Sequence, residues 1–125
     1  MEYIFKGFCV ESKKMVKANF CLPCYGEDDD KYVHLIDTER HFQYKVEKDT
    51  VYIFTGFHDK EGQQIFHQDI CYYEDVNKLC VVKFDDFLCK MCLYIDGELL
   101  GELTGFLASQ KLKVVNNVHS YVRRD

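Results

Sequence analysis

The sequence predicts an all-β fold, a barrel or sandwich of short strands. Short runs of β-branched and aromatic residues alternate with polar ones at period two. Turn chemistry separates these runs at close spacing. No segment sustains helical periodicity over ten residues. Hydrophobic residues make up 47% of the 125 residues and aromatics 15%, enough to bury a core and to exclude disorder over most of the chain.

The elements follow in order. Tyr3, Phe5 and Gly7 alternate with Ile4, Lys6 and Phe8, and Glu11-Ser12-Lys13-Lys14 reads as a turn. Residues 15–21 read as the partner strand, completing a hairpin. Pro23 has no N–H to donate and stops the pairing. Residues 26–31 are polar and read as a loop. Residues 32–36 and 42–46 are short strands; Phe42, Tyr44 and Val46 against Gln43, Lys45 and Glu47 give a half-buried pattern. Lys48-Asp49 turns the chain into residues 51–74, its most legible stretch. Val51-Tyr52-Ile53-Phe54 suits a pleated surface, Gly56 interrupts it, and Asp59-Lys60-Glu61-Gly62 carries turn chemistry. Ile65-Phe66 resumes the apolar pattern, and Asp69-Ile70-Cys71-Tyr72-Tyr73 begins a strand. Val76-Asn77-Lys78 reads as a turn before Cys80-Val81-Val82, and Asp85-Asp86 breaks the pattern. Residues 88–95 and 98–103 read as strands around Asp96-Gly97, the strongest hairpin signal, since a type I′ turn needs positive φ at both central residues. Residues 104–110 are ambiguous, with Leu107-Ala108-Ser109-Gln110 able to make a single helical turn; residues 111–118 read as the last strand, and residues 121–125 as a fraying tail.

Several of these segments carry a resemblance. Thr55-Gly56-Phe57, Asp59-Lys60-Glu61-Gly62, Ile65-Phe66 and Asp69-Ile70 are similar to the central signature of the YopX-like family of phage- and prophage-encoded proteins. The likeness continues in Val81-Val82-Lys83-Phe84-Asp85-Asp86 and in residues 112–119, and Ile4-Phe5-Lys6 with Lys13-Lys14-Met15 resembles the family's opening. The family usually places Glu-Gly before the Asp-Ile pair, where this chain has His67-Gln68. If that glycine holds positive φ, Gln68 must strain or adopt another turn. The resemblance implies an SH3-like β-barrel in the C-terminal half and no established enzyme activity. The expected arrangement is an N-terminal β-hairpin region at residues 1–49 packed on an SH3-like barrel at residues 50–125.

Charge and composition narrow the function classes. A net charge of −5 argues against sequence-independent binding of duplex DNA, which depends on cationic side chains. No apolar run approaches the roughly 20 residues of a membrane span. Met1-Glu2-Tyr3 opens no basic-then-apolar leader. The expected location is the cytoplasm of the bacterial host, with no membrane association. Seven cysteines, an odd number without a leader, argue against a disulfide framework and read as small buried hydrophobes.

The chemical candidates are few. Cys21-Leu22-Pro23-Cys24 and Cys89-Lys90-Met91-Cys92 together have the composition of a structural zinc site. Their separation far exceeds the roughly 15–20 residues of ordinary zinc ribbons. Cys89 and Cys92 also fall in a strand pattern, where positions three apart point to opposite faces, and no Gly or Asn supports a turn. No metal and no cofactor is expected. The acidic loop after Cys24 opposes a thioredoxin-like thiolate. His67 and Asp69 can share a strand face as base and orienter, but no nucleophile or third ligand is signalled nearby, so a polar strand edge is favoured. Asp28-Asp29-Asp30 lacks the alternation and glycine of a calcium loop.

A binding role has more content. SH3-like barrels present aromatics to peptides or nucleic acids. Tyr72, Tyr73, Phe84, Phe87 and Tyr94 are the aromatics considered, with Tyr72, Tyr73, Phe87 and Tyr94 as partner-binding residues. Lys78, Lys83, Lys90, Arg123 and Arg124 can supply charge for a single strand, while Glu74, Asp75, Asp85 and Asp86 oppose it. The expected function is a phage or prophage accessory protein, non-catalytic, engaging a host or phage protein. The alternatives are a nucleic-acid-binding module and a small protein stabilised by zinc at Cys21, Cys24, Cys89 and Cys92. Exposed strand edges make a homo-oligomer plausible.

Overall fold

The computed structural model describes residues 2–23 and 31–117. Cys24, the 26–30 part of the polar loop, the Asp28-Asp29-Asp30 run, His119 and the 121–125 tail lie outside the described residues. The chain is mainly β, in several antiparallel sheets with one short helix. It divides into two compact units, Met1–Ile53 and Phe54–Asp125.

In the first unit, β1 (Phe5–Phe8) pairs with β2 (Met15–Ala18) in the predicted hairpin. The single strand predicted over residues 15–21 is in fact two. The chain pivots at Asn19, and β3 (Phe20–Pro23) pairs with β4 (Tyr32–Asp37) instead. Side-chain hydrogen bonds fix the pivot: Asn19 Nδ2 donates to Thr38 Oγ1 at 2.7 Å, and Asn19 Oδ1 accepts from the Thr38 N–H at 3.0 Å. β5 (Phe42–Glu47) completes the three-stranded sheet β3-β4-β5. Its predicted alternation deepens toward one end: Phe42 is exposed, Tyr44 half-buried and Val46 buried. A 3-10 turn, Lys48–Thr50, follows. The buried Thr50 hydroxyl donates to the Glu47 carbonyl and accepts the Phe8 N–H. β6 (Tyr52–His58) opens beside β1.

The core of this unit is Cys9, Ala18, Val33, Leu35 and Val46. Gly7 lies over it so closely that a Cβ there would meet Leu35 Cδ1 and Val46 Cγ2 at 3.2 Å. Buried Asp37 ends β4. Its Oδ1 accepts the N–H groups of Glu39 and Arg40, and its Oδ2 accepts the Tyr3 hydroxyl. A carboxylate so satisfied tolerates burial.

In the second unit, the remainder of β6 pairs with β7 (Gln64–Phe66). The meander β8 (Asp69–Tyr73), β9 (Lys78–Asp85), β10 (Lys90–Ile95) and β11 (Glu98–Glu102) follows. The helix α1 (Gly105–Lys111) then leads into β12 (Leu112–Asn117). β12 returns to β8, so the strand order is β11-β10-β9-β8-β12, antiparallel throughout. Asp96 and Gly97 have φ of 52° and 81°, as a type I′ turn requires. The helix is longer than the predicted single turn because Thr104 caps it, its hydroxyl accepting the Leu107 N–H. Ile65, Cys71, Cys80, Val82, Leu93, Leu103, Ala108 and Leu112 form this unit's core.

The turns at the start of the second unit are held by two buried carboxylates. Asp59 accepts the Glu61 and Gln63 N–H groups on Oδ1 and the Val114 N–H on Oδ2, tying the turn to β12. Asp69 accepts the Phe66 N–H on Oδ2 and the Asn117 amide on Oδ1. Between β7 and β8, Gln68 has φ 68°. At the position where the resemblance leads one to expect glycine, the backbone is left-handed and its steric cost falls on a glutamine. The Gln68 N–H donates to the Val82 carbonyl at 2.6 Å, and its own carbonyl accepts from Asn117, so the turn is over-determined from both sides.

Candidate partner-binding face

Cross-strand partners share a face of a sheet, so the register of the second unit sorts its aromatics. Cys71 opposite Cys80 and Val82 opposite Leu93 face the core. Tyr73 sits opposite Lys78 and the buried Leu112, and packs against that core. Tyr72 and Tyr94 point to the other face. Tyr72 lies opposite Leu79, and Tyr94 lies opposite Val81 on β9 and Leu99 on β11. Leu79 and Leu99 are about half exposed, at 51% and 47%. Sequence reading missed these aliphatic neighbours. They become visible only once register places residues from four strands in one patch.

Phe87 stands apart on the turn between β9 and β10. At 94% exposure it is the most exposed large hydrophobic residue among those described, with Phe84 and Leu88 exposed on either side of it in sequence. The turn is built from its own residues. Asp85 Oδ1 accepts the Leu88 N–H at 2.9 Å, while Asp85 Oδ2 accepts the Tyr94 hydroxyl. That hydroxyl, with a lesser contribution from the Leu88 N–H, holds the Asp85 carboxyl below its ordinary range. The same contact, with desolvation adding to it, pushes the Tyr94 phenol up to about 12. Lys83 lies over the Tyr94 ring with Nζ 5.6 Å from the centroid. Two of the predicted aromatics, Tyr94 and Phe87 at the tip of the turn, are thus linked through the Asp85 carboxylate.

Cys89 corrects an expectation. Residues 88–95 read as continuous strand with no turn, but Cys89 is the last turn residue, at φ 55°, and β10 begins at Lys90. Asp85 supplies the turn chemistry that no Gly or Asn offers. Cys89 is exposed, with Sγ 3.4 Å from the Asp86 carbonyl, and Cys92 is buried in β10. Cys21 lies on β3 of the first unit, and Cys24 is outside the described residues. Burial raises the Cys21 thiol, pushes Cys80 up to about 11 and raises Cys92, where Asp85 and Glu102 add to the effect. Such thiols stay protonated near neutrality, unlike metal-binding or nucleophilic thiolates. Among the described residues no group of three or more His, Cys, Asp or Glu is placed to hold a metal ion. Asp69 has the structural role described above, and His67 occupies the turn before it.

The residues of the resembled signature are also accounted for by backbone chemistry. Thr55 Oγ1 donates to the Ile65 carbonyl and accepts the Phe57 N–H. Gly56 and Gly62 hold φ of 90° and 82°. Asp59 and Asp69 hold the turns. Among the described residues, no helix is long and apolar enough to cross a membrane. No curated protein matches the chain. The YopX protein family matches residues 4–121, nearly its whole length. The chain belongs to the YopX protein family.

Proposed function

We propose that this YopX protein is a non-catalytic binding module, phage- or prophage-encoded and acting in the host cytoplasm. It engages a protein partner through the Phe87 turn and the neighbouring Tyr94 face. The observation that carries this reading is an almost fully exposed phenylalanine on a turn whose neighbouring Leu88 N–H and Tyr94 hydroxyl are held by the Asp85 carboxylate. An exposed aromatic contributes most to binding when a partner's pocket covers it. Preorganisation by Asp85 lowers the ordering cost of binding. The meander β8–β11, with a short helix before β12 returns to β8, supports an SH3-like arrangement of the second unit. In that arrangement the β9–β10 turn is a presenting loop.

A nucleic-acid partner is less well supported, since many lysines of this unit are committed to carboxylates. Lys60 pairs with Glu74, Lys90 with Glu102, Lys111 with Glu74 and Asp75, and Lys113 with Glu61. Arg123 and Arg124 lie outside the described residues.

The test is co-purification from cells carrying the phage or prophage, comparing wild type with Phe87→Ala. A bound protein should be held by the wild type and weakened about 30-fold or more by the substitution, the loss of a ~2 kcal/mol anchor. Thermal stability should be unchanged. Identical partners and affinities for both proteins would refute the reading.

A further inference from the structure

β11 is an edge strand: among the described residues it pairs only with β10. Its register slips between Leu93 and Tyr94, so Leu99 and Gly101 find partners and Leu100 bulges between them. In a regular strand, adjacent leucines point to opposite faces. Here the bulge leaves both Leu99 and Leu100 nearly half exposed, at 47% and 45%. Bulges characteristically re-aim side chains in this way. Together with Val76 and Ile95 the two leucines line a groove of about 410 Å³. Lys78, Asp96 and Glu98 form its polar wall.

We propose that this edge receives the partner's docking segment, an extended peptide that adds to β11 as a further strand. An apolar side chain enters the groove, and a Lys or Arg beside it meets Asp96 and Glu98. The inference rests on the binding-module reading above and names the chemistry of the partner. Backbone pairing supplies affinity in such strand addition, and side-chain pockets supply specificity. Charge selects the occupant. The groove wall has two carboxylates against one lysine, and β11 is flanked by Glu98 and Glu102, of which, among the described residues, only Glu102 is paired, with Lys90. A second copy of β11 added antiparallel about its centre would set Glu98 against Glu102, like charges face to face. A basic-flanked segment meets no such conflict. Register also joins the two surfaces. Glu102 lies opposite Cys92, and Lys90, two residues earlier, lies opposite Asp85, which holds the Phe87 turn. A strand on β11 therefore runs between the groove and the Phe87 end of the sheet.

The probe is a capped peptide, Lys-Thr-Val-Val-Thr-Lys, titrated into the isotope-labelled full chain and followed by amide NMR. A Glu-flanked analogue and a backbone N-methylated analogue serve as controls. The Lys-flanked peptide should shift Val76, Lys78 and residues 98–101, and bind about tenfold tighter than the Glu-flanked one. Glu98→Lys should erase that preference, and N-methylation should abolish binding. Absence of shifts at β11, equal affinity for both charge forms, or concentration-dependent shifts without peptide, showing self-association, would each overturn the proposal. Shifts confined to the Phe87 turn would overturn the β11 site while leaving the binding-module reading intact. That reading fails separately, when Phe87→Ala leaves the cellular partner bound.

Discussion

At the scale of single residues, the family signature is a set of backbone anchors. Asp59 satisfies three N–H groups from two distant parts of its unit. Removing a buried charged acceptor leaves those donors unsatisfied, and each such loss costs about 1–3 kcal/mol. Asp59→Ala should therefore lower unfolding free energy by about 3 kcal/mol or more, read from the denaturant midpoint. Gln68 is the opposite case, a residue with a side chain held in the left-handed region that favours glycine. Its φ of 68° carries a left-handed cost of about 1–2 kcal/mol that glycine lacks, partly offset by glycine's greater entropy loss of about 0.5–1 kcal/mol. Gln68→Gly should stabilise the chain by about 0.5–1 kcal/mol, and a midpoint that falls instead would show the backbone to be unstrained. The Asp and Gly positions of this turn region were legible in the sequence because turn residues act locally. The left-handed Cys89 was not, because it falls inside residues 88–95, which read as continuous strand, and the Asp85 carboxylate that orders the turn acts through a hydrogen bond to Leu88 rather than through any residue type at position 89.

At the scale of elements, alternation located most strands, but pairing reassigned them. Residues 15–21 read as one strand because apolar residues continue through the sequence. Asn19 and Thr38 divide them between two sheets, a choice that depends on a partner 19 positions away. Helix α1 outgrew its predicted single turn because of its Thr104 cap, a hydrogen bond visible only in three dimensions. The β9–β10 turn makes a pH prediction with two limbs. The Asp85 carboxyl is held low, so its contribution is present above the ordinary carboxylate range and lost as pH falls through its lowered value. The Tyr94 phenol is held high, so its contribution is full below the ordinary tyrosine value of about 10 and lost as pH rises through about 12. Ultraviolet titration should show one phenol ionising near 12 that disappears in Tyr94→Phe. If every tyrosine titrates near its ordinary value, the contact does not persist in solution.

At the scale of the whole molecule, each unit carries its own core, and the candidate binding features fall in the second. Leu93 is fully buried among Cys80, Val82 and Leu112. Leu93→Ala should cost about 3 kcal/mol, a large share of the ~5–15 kcal/mol of a typical domain, measured by denaturant unfolding. Phe87→Ala, on the surface, should cost less than about 0.5 kcal/mol. The contrast separates residues that hold the fold from one available for a partner.

The sequence by itself determined the β class, the type I′ turn at Asp96-Gly97, the family likeness and most strand positions. Each of these is written in local periodicity or in residues with restricted backbone preferences. Tertiary structure alone decided which aromatics face outward, that Tyr73 turns to the core while Tyr72 does not, and that Leu79, Val81 and Leu99 join Tyr94 in one patch. Those outcomes depend on register, and register is set by pairing between strands, which period-two alternation within one strand does not encode.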